Sequence, residues 1–256
     1  MNYQQLELHP IRNLVAEQMS LARQTNNIHS LFELDITFLL EKIKEHRRQG
    51  HVFSYSTYLM FCLAHSLQEF PEMLDMRLGT KHRIRFTQVD LMTIVERKQK
   101  GQASVPMGYI IRDCGRKSLD EITAEIRHAQ KINPLDIEGV RERRKLLKLP
   151  TFLRKWMLRR IHKDPRKFVQ YYGNVSLSSL HMADNNRFWF GIPLSASPLC
   201  VVPAGVYKKV VKRDGQFVER DFASFSMTIN HDLSDGSPSL RFGKVFADKI
   251  ENAFGL

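Results

Sequence analysis

Only three cysteines occur in 256 residues, Cys62, Cys114 and Cys200, odd in number and far apart. That excludes a disulfide framework and a cysteine-rich zinc site, and it predicts a reducing compartment. No apolar run approaches the roughly 18 residues that a membrane-spanning helix needs, and "MNYQQLELHPIRN" holds no apolar signal core. A cytoplasmic location is the resulting expectation. There is no repeat and no low-complexity tract, and the histidines and carboxylates do not fall at metal-ligand spacings, so no metal is expected. A hydrophobic content of 43% with 26% charged residues is that of a globular chain able to build a real core. One domain spanning residues 1–256 is expected at this length.

Charge is present in excess but in one place. The formal net charge is +12. Between Arg141 and Lys167 stand twelve Lys or Arg against Glu142 and Asp164, a net of +10, which leaves +2 for everything else. Any partner inferred from charge belongs to that segment.

Hydrophobic periodicity gives mixed elements. "IRNLVAEQMSLARQ", "TFLLEKIKEHRRQG" and "STYLMFCLAHSLQEFP" have helical spacing, the second stopped by Gly50 and the third before Pro71. "SLDEITAEIRHAQKI" opens with the capping-box pair Ser118 and Glu121. "HSLFELDI", "HRIRFTQVDLMTIVERK" and "VPMGYIIRD" read as strands, as do "GNVSLSSLHM" and "RFWFGIPL". "PLCVVPAGVYKKVVKRDGQFVERDFASFSMTIN" predicts three strands with a hairpin turn at Asp214-Gly215. A last helix is expected over 237–254, with Leu240, Val245, Phe246 and Ile250 inward. Grouped strands with flanking helices argue an α+β fold.

The run "TINHDLSDG", residues 228–236, carries the chemistry. Phe225, Met227 and Ile229 share one strand face; Ser224, Ser226, Thr228 and Asn230 share the other. His231 continues the apolar parity, which predicts an inward imidazole at a strand end. A histidine held there can take a proton from an incoming thiol, hydroxyl or amine. Asp235, one turn on, would fix the local backbone or pair with an arginine, and Gly236 would allow a tight turn or close approach. The competing reading is a buried histidine satisfied by backbone. His46 and His51 read as solvated and His65 as a core residue; His181, just past the serine-rich strand, is a second approach to a site.

The order of these segments resembles the catalytic domain of the dihydrolipoamide acyltransferases of 2-oxo acid dehydrogenase complexes and, more distantly, chloramphenicol acetyltransferase. The residues that carry it are "IRNLVAEQMSLARQTNNIHSLFELDIT", "FSYSTYLMFCLAHSLQEFPEMLDMRL", the central strands with Met107 to Arg112, "GNVSLSSL" and "INHDLSDGSPSLRF". The resemblance implies a chloramphenicol acetyltransferase-like fold, a mixed central sheet with flanking helices. It implies acyl transfer from acyl-CoA as co-substrate, with no bound cofactor. His231 would be the general base, assisted by Asp235, and a serine hydroxyl would donate to the tetrahedral oxyanion. Ser178 is the best match for that donor, with Ser176 and Ser179 as competitors; Ser176 and Ser178 share a strand face, so parity does not separate them. A homotrimer with sites between subunits is implied too.

Departures from the pattern bear on function. Asn230-His231-Asp232 stands where the family has Asp-His-Arg, and Ser195-Ala196-Ser197-Pro198 replaces an Asn-Pro-Pro-like stretch. The 256 residues include no lipoyl domain, no subunit-binding domain and no Ala/Pro linker. The expectation is therefore a stand-alone acyltransferase using a coenzyme A or carrier-protein thioester and an acceptor other than lipoamide. The alternative is an inactive trimeric scaffold or partner-binding relative. The basic segment reads as an insertion with a stripe of Leu146, Leu149, Leu153, Trp156, Met157 and Ile161, broken by Pro150 and ended by Pro165. Arg154, Lys155, Arg159 and Arg160 surround that stripe. It would pack on its own domain, lie on an anionic membrane surface, or hold coenzyme A phosphates or an acidic acceptor. No nucleic-acid module accompanies the charge.

Overall fold

A computed structural model describes residues 1–8, 10–97, 105–132, 145–180 and 187–256. Helix α1 (Pro10–Ala22) leads into β1 (Asn27–Asp35), α2 (Thr37–Arg48) and α3 (Tyr55–Glu69). A short hairpin of β2 (Met76–Leu78) and β3 (His82–Ile84) follows, then β4 (Leu91–Arg97), β5 (Val105–Ile111) and α4 (Leu119–Ala129). Next come α5 (Thr151–Lys163), α6 (Pro165–Tyr172), β6 (Val175–Leu177), β7 (Leu199–Arg213), β8 (Gln216–Asn230) and α7 (Gly236–Glu251).

Local signals place the helices. Ser54 accepts from Thr57 N–H at the start of α3, and Ser118 and Glu121 close a reciprocal capping box on α4. Gly50 has φ +91°, a left-handed stop two residues beyond α2. Asp214 and Gly215 both have positive φ, the requirement of a two-residue turn matching the right-handed twist of β7 and β8.

The main sheet has the order β1-β8-β7-β6-β4-β5, parallel where β6 meets β4 and β7 and antiparallel elsewhere. One face is hydrocarbon. Phe225, Met227, Ile229, Leu199, Val201, Val175, Leu177 and Leu91 pack there beneath Leu59, Leu63, Phe242 and Phe246 of α3 and α7. The other face is hydroxyl-rich: Ser224, Ser226 and Thr228 are all fully buried on it. What covers them is the segment from Arg187 to Pro198.

That segment corrects two expectations. "RFWFGIPL" is no strand of the sheet; it runs along β8, with Ser224 Oγ donating to Trp189 O and Ser226 Oγ to Gly191 O. Alternation alone does not distinguish a ladder strand from a stretch whose carbonyls are taken by side chains. The three predicted strands that follow are two, each of 15 residues. Their far halves run beyond the buried part of the sheet and carry exposed Lys, Arg and Glu, which breaks the apolar pattern without breaking the strand. Pro203 is tolerated because the β7/β8 register shifts between Pro203 and Val206.

The expected inner face of α7 is rotated. Phe246 and Ile250 are buried and Val245 is half-buried, but Leu240 is 75% exposed and Phe242 takes the inward place. His65 is half-buried, facing Lys117 O at 3.2 Å. His46 is also half-buried, its ring at Lys42 O, and His51 is exposed.

The basic segment is partly described; residues 141–144 lie outside the described residues. Pro150 precedes α5, which ends at Lys163 ahead of Pro165 as expected; Pro165 also begins a second helix, α6, where Asp164 caps Arg166 N–H. Leu158 of α5 packs with Leu14 of α1, joined by Leu146 from the segment ahead of α5. Arg154 donates to both carboxylate oxygens of Glu17 at 2.7 and 2.8 Å and is buried. It is therefore not a surface cation: it shares the inward face with Leu158 and Ile161, one turn and two turns on. Trp156, expected in the apolar stripe, faces out instead, 53% exposed.

His162 sits where α5 meets α6, with the rings of Phe168 and Tyr172 at 5.3 and 5.6 Å. Its Nε2 is buried without a hydrogen-bond partner among the described residues, and burial pushes its pKa from 6.5 down to about 4. The unfolded chain takes up this proton first as pH falls. Stability should drop between pH 6.5 and about 4, by on the order of 2–3 kcal/mol. Urea midpoints across that window should show the drop, and His162→Phe should flatten it.

Candidate active site

Strand β8 ends at Asn230, and the chain then turns. His231 N–H donates to Asn26 O at 2.7 Å, Asn26 Nδ2 to Asp232 Oδ1 at 2.8 Å, and Asp232 N–H to Asn230 Oδ1 at 2.9 Å. These bonds fix the backbone of the turn. They do not bury the imidazole: its side chain is 45% exposed, and Nδ1 faces Asp235 Oδ1 at 3.8 Å. The expected inward histidine is thus an exposed one, because strand parity stops governing side-chain direction where the ladder stops. Asp235 is the N-cap residue of α7 but its carboxylate makes no cap bond and is 87% exposed. Gly236 has no positive φ and open space where a Cβ would stand, so neither a tight turn nor a close approach within the chain requires glycine there.

The serine strand lies elsewhere on the sheet. Ser176 is central in β6, paired across the ladders with Met92 and Cys200. Its hydroxyl and that of Ser195 both contact the Cys200 thiol, whose pKa is raised by burial despite them. Ser195 also accepts from Ser197 N–H, and its carbonyl holds Asn27 Nδ2. Ser178 follows the end of β6. Its N–H continues the ladder to Val201 O at 3.1 Å, as Leu180 N–H does to Pro203 O. The half-buried Ser178 hydroxyl has no partner among the described residues, whereas Ser179 takes part in a further contact. Surroundings therefore separate the serines that parity could not.

The register fixes how far apart the two halves are. Ser178 is level with Val202 and hence with Ser226, two strands away. His231 lies in the turn just beyond the end of β8, five residues past that level, so within one chain its backbone and that of Ser178 are roughly 15 Å apart. The fold brings Ser176, Ser195 and Cys200 together, and Asp235 near His231, but not His231 to Ser178. His181 lies outside the described residues.

Sequence reasoning passed over His29, which meets Thr228 at 2.9 Å on the hydroxyl face. The signal was there in the parity of β1 and β8. Among the described residues no group of three His, Cys, Asp or Glu is placed to hold a metal ion, and no helix is long and apolar enough to cross a membrane.

Comparison with known proteins decides the family. The model of the 2-oxoacid dehydrogenases acyltransferase (catalytic domain) family matches residues 1–135, more than half of the chain. The chain belongs to this acyltransferase family. Its fold is shared along its length with solved members. The cubic core of the pyruvate dehydrogenase multienzyme complex has 14% identity and a TM-score of 0.71, over 98% of this chain and 93% of that one. A dihydrolipoamide acetyltransferase of Azotobacter vinelandii has 16% identity and the same TM-score of 0.71, over 98% and 93%. Chloramphenicol acetyltransferase has 14% identity and a TM-score of 0.52, over 96% and 95%. No curated protein sequence matches the chain. The mixed sheet with flanking helices is thus the acyltransferase architecture that the resemblance implied.

Proposed function

We propose that the protein transfers an acyl group from a coenzyme A thioester to a hydroxyl, amine or thiol acceptor, in sites shared between neighbouring copies of a homotrimer. The carrying observation is the separation just described. An exposed histidine and an unpartnered serine hydroxyl stand too far apart to act on one substrate within a chain, yet both are reachable from outside it. A cyclic arrangement places one patch of each copy against a different patch of the next, so each interface would hold one histidine and one serine. In the Azotobacter protein a serine, a histidine and an asparagine were investigated for catalytic roles, the last two standing four residues apart. His231 and Asp235 have that spacing, with aspartate in place of asparagine.

The chemistry follows from the groups. With Nδ1 turned to Asp235, His231 Nε2 takes the proton of the acceptor as its nucleophile attacks the thioester carbonyl. Asp235 stabilises the imidazolium that results. The carbonyl oxygen becomes an oxyanion and accepts from Ser178 Oγ–H. Collapse breaks the carbon–sulfur bond, and the departing thiolate takes the proton back from His231.

Thiol release from a panel of acyl-CoA donors tests this. Ser178→Ala should lower turnover about 100-fold, with a smaller change in donor KM, since the oxyanion exists only near the transition state. The same loss on Ser176→Ala instead would move the donor by one pleat. A well-folded trimer inert to every donor would leave the scaffold role in its place.

A further inference from the structure

The proposed chemistry leaves the outer face of α5 without a use. Phe152, Lys155, Trp156, Arg159, Arg160 and Lys163 recur at i, i+3, i+4, i+7, i+8 and i+11, a single stripe along the helix, and all six are exposed. The stripe lies opposite Arg154, Leu158 and Ile161, which bind the helix to its own chain. Phe152 is 76% exposed, and the Arg160 guanidinium lies over the Trp156 ring at 5.2 Å. No acidic residue occurs within α5. Among the described residues beside α5, the Glu17 carboxylate is held by Arg154, with Lys155 acting on it from farther off, and that of Asp164 caps α6. None of the four cations forms an ion pair with a described residue, and exposed Arg166 and Lys167 extend the positive charge onto α6.

We infer that this face docks on an anionic lipid bilayer, with α5 lying in the interfacial plane. Charge complementarity commits the surface to an anionic partner. Two large exposed aromatics among the cations commit it to one with an apolar layer beneath its charge, which a soluble phosphate ligand does not have. An aromatic ring with a polar edge settles at headgroup depth, and the long basic side chains reach the phosphates around it. Arg154 and Glu17 hold the helix in place, so that it arrives at the membrane already folded and pays no ordering cost there.

Sedimentation with sucrose-loaded vesicles tests the inference on the full chain. Vesicles of phosphatidylcholine with one third phosphatidylserine should bind it in low salt and release it as salt rises, while pure phosphatidylcholine should not. Each cation near such a surface contributes about five-fold in affinity. Replacing Lys155, Arg159, Arg160 and Lys163 together by Gln should therefore weaken binding more than about 100-fold. In a Trp189→Phe background, Trp156 emission should shift to the blue on binding. Phe152→Ser with Trp156→Ser should weaken binding while the charge is unchanged. Failure to bind anionic vesicles in low salt, displacement by millimolar coenzyme A, or binding by charge alone without the aromatic contribution would each overturn it.

Discussion

His231→Ala should abolish acyl transfer while the chain folds and assembles as before. The imidazole is exposed, and only its backbone N–H takes part in holding the turn, a bond that alanine keeps. The stability change should stay within about 0.5 kcal/mol. Loss of a general base removes about 100- to 10,000-fold in turnover, read by thiol release alongside a thermal melt. Co-expression adds a sharper result. A trimer mixed at random from His231→Ala and Ser178→Ala chains has one site in about four with both groups intact. Two inactive proteins should therefore regain about a quarter of wild-type turnover when assembled together. A monomer with full activity, or mixed trimers with none, would exclude a site shared between copies.

Arg154→Ala should produce the largest loss of stability. The side chains of Arg154 and Glu17 are 9% and 10% exposed. The hydrogen bond from Arg154 holds the Glu17 carboxyl below its ordinary pKa. Alanine leaves that carboxylate in place with its partner gone and opens a gap between α1 and α5. Broken buried pairs cost 3–5 kcal/mol, and this one lies at the rim of a cleft, so about 3 kcal/mol is expected. Chemical denaturation measures it. Replacing both residues by Met should recover much of the loss, because the orphaned charge goes with the pair. A single-variant cost below 1 kcal/mol would mean that water reaches Glu17 freely.

The sequence showed most where a local rule acts alone. The cap at Ser118, the stops at Gly50 and Pro71, and the Asp214-Gly215 turn are short-range chemistry, and each stands in the structure as read. It misled where distant partners decide. A charge count treats Arg154 as one cation among twelve, although Glu17, 137 residues away, takes it out of solvent. Helical spacing in α7 fits Leu240 as well as Phe242 until the neighbours of Phe242 are known. The site itself was half legible. Motif order pointed to His231 and the serines; that they stand on separate parts of the sheet required the register of three strands.

The three thiols carry a consequence of their own. Cys62 in α3 and Cys114 after β5 lie in the hydrocarbon layer, and Cys200 of β7 lies beneath the hydroxyl layer. Burial pushes the first two up to about 12 and raises the third. A thiol that is neither ionised nor accessible ignores an alkylating reagent until its surroundings open. Each cysteine is thus a clock built into the native chain, two timing the separation of helices from sheet and one timing the lifting of the strap across the other face. A mass spectrometer reading the three rates would tell whether the two layers part together or one at a time.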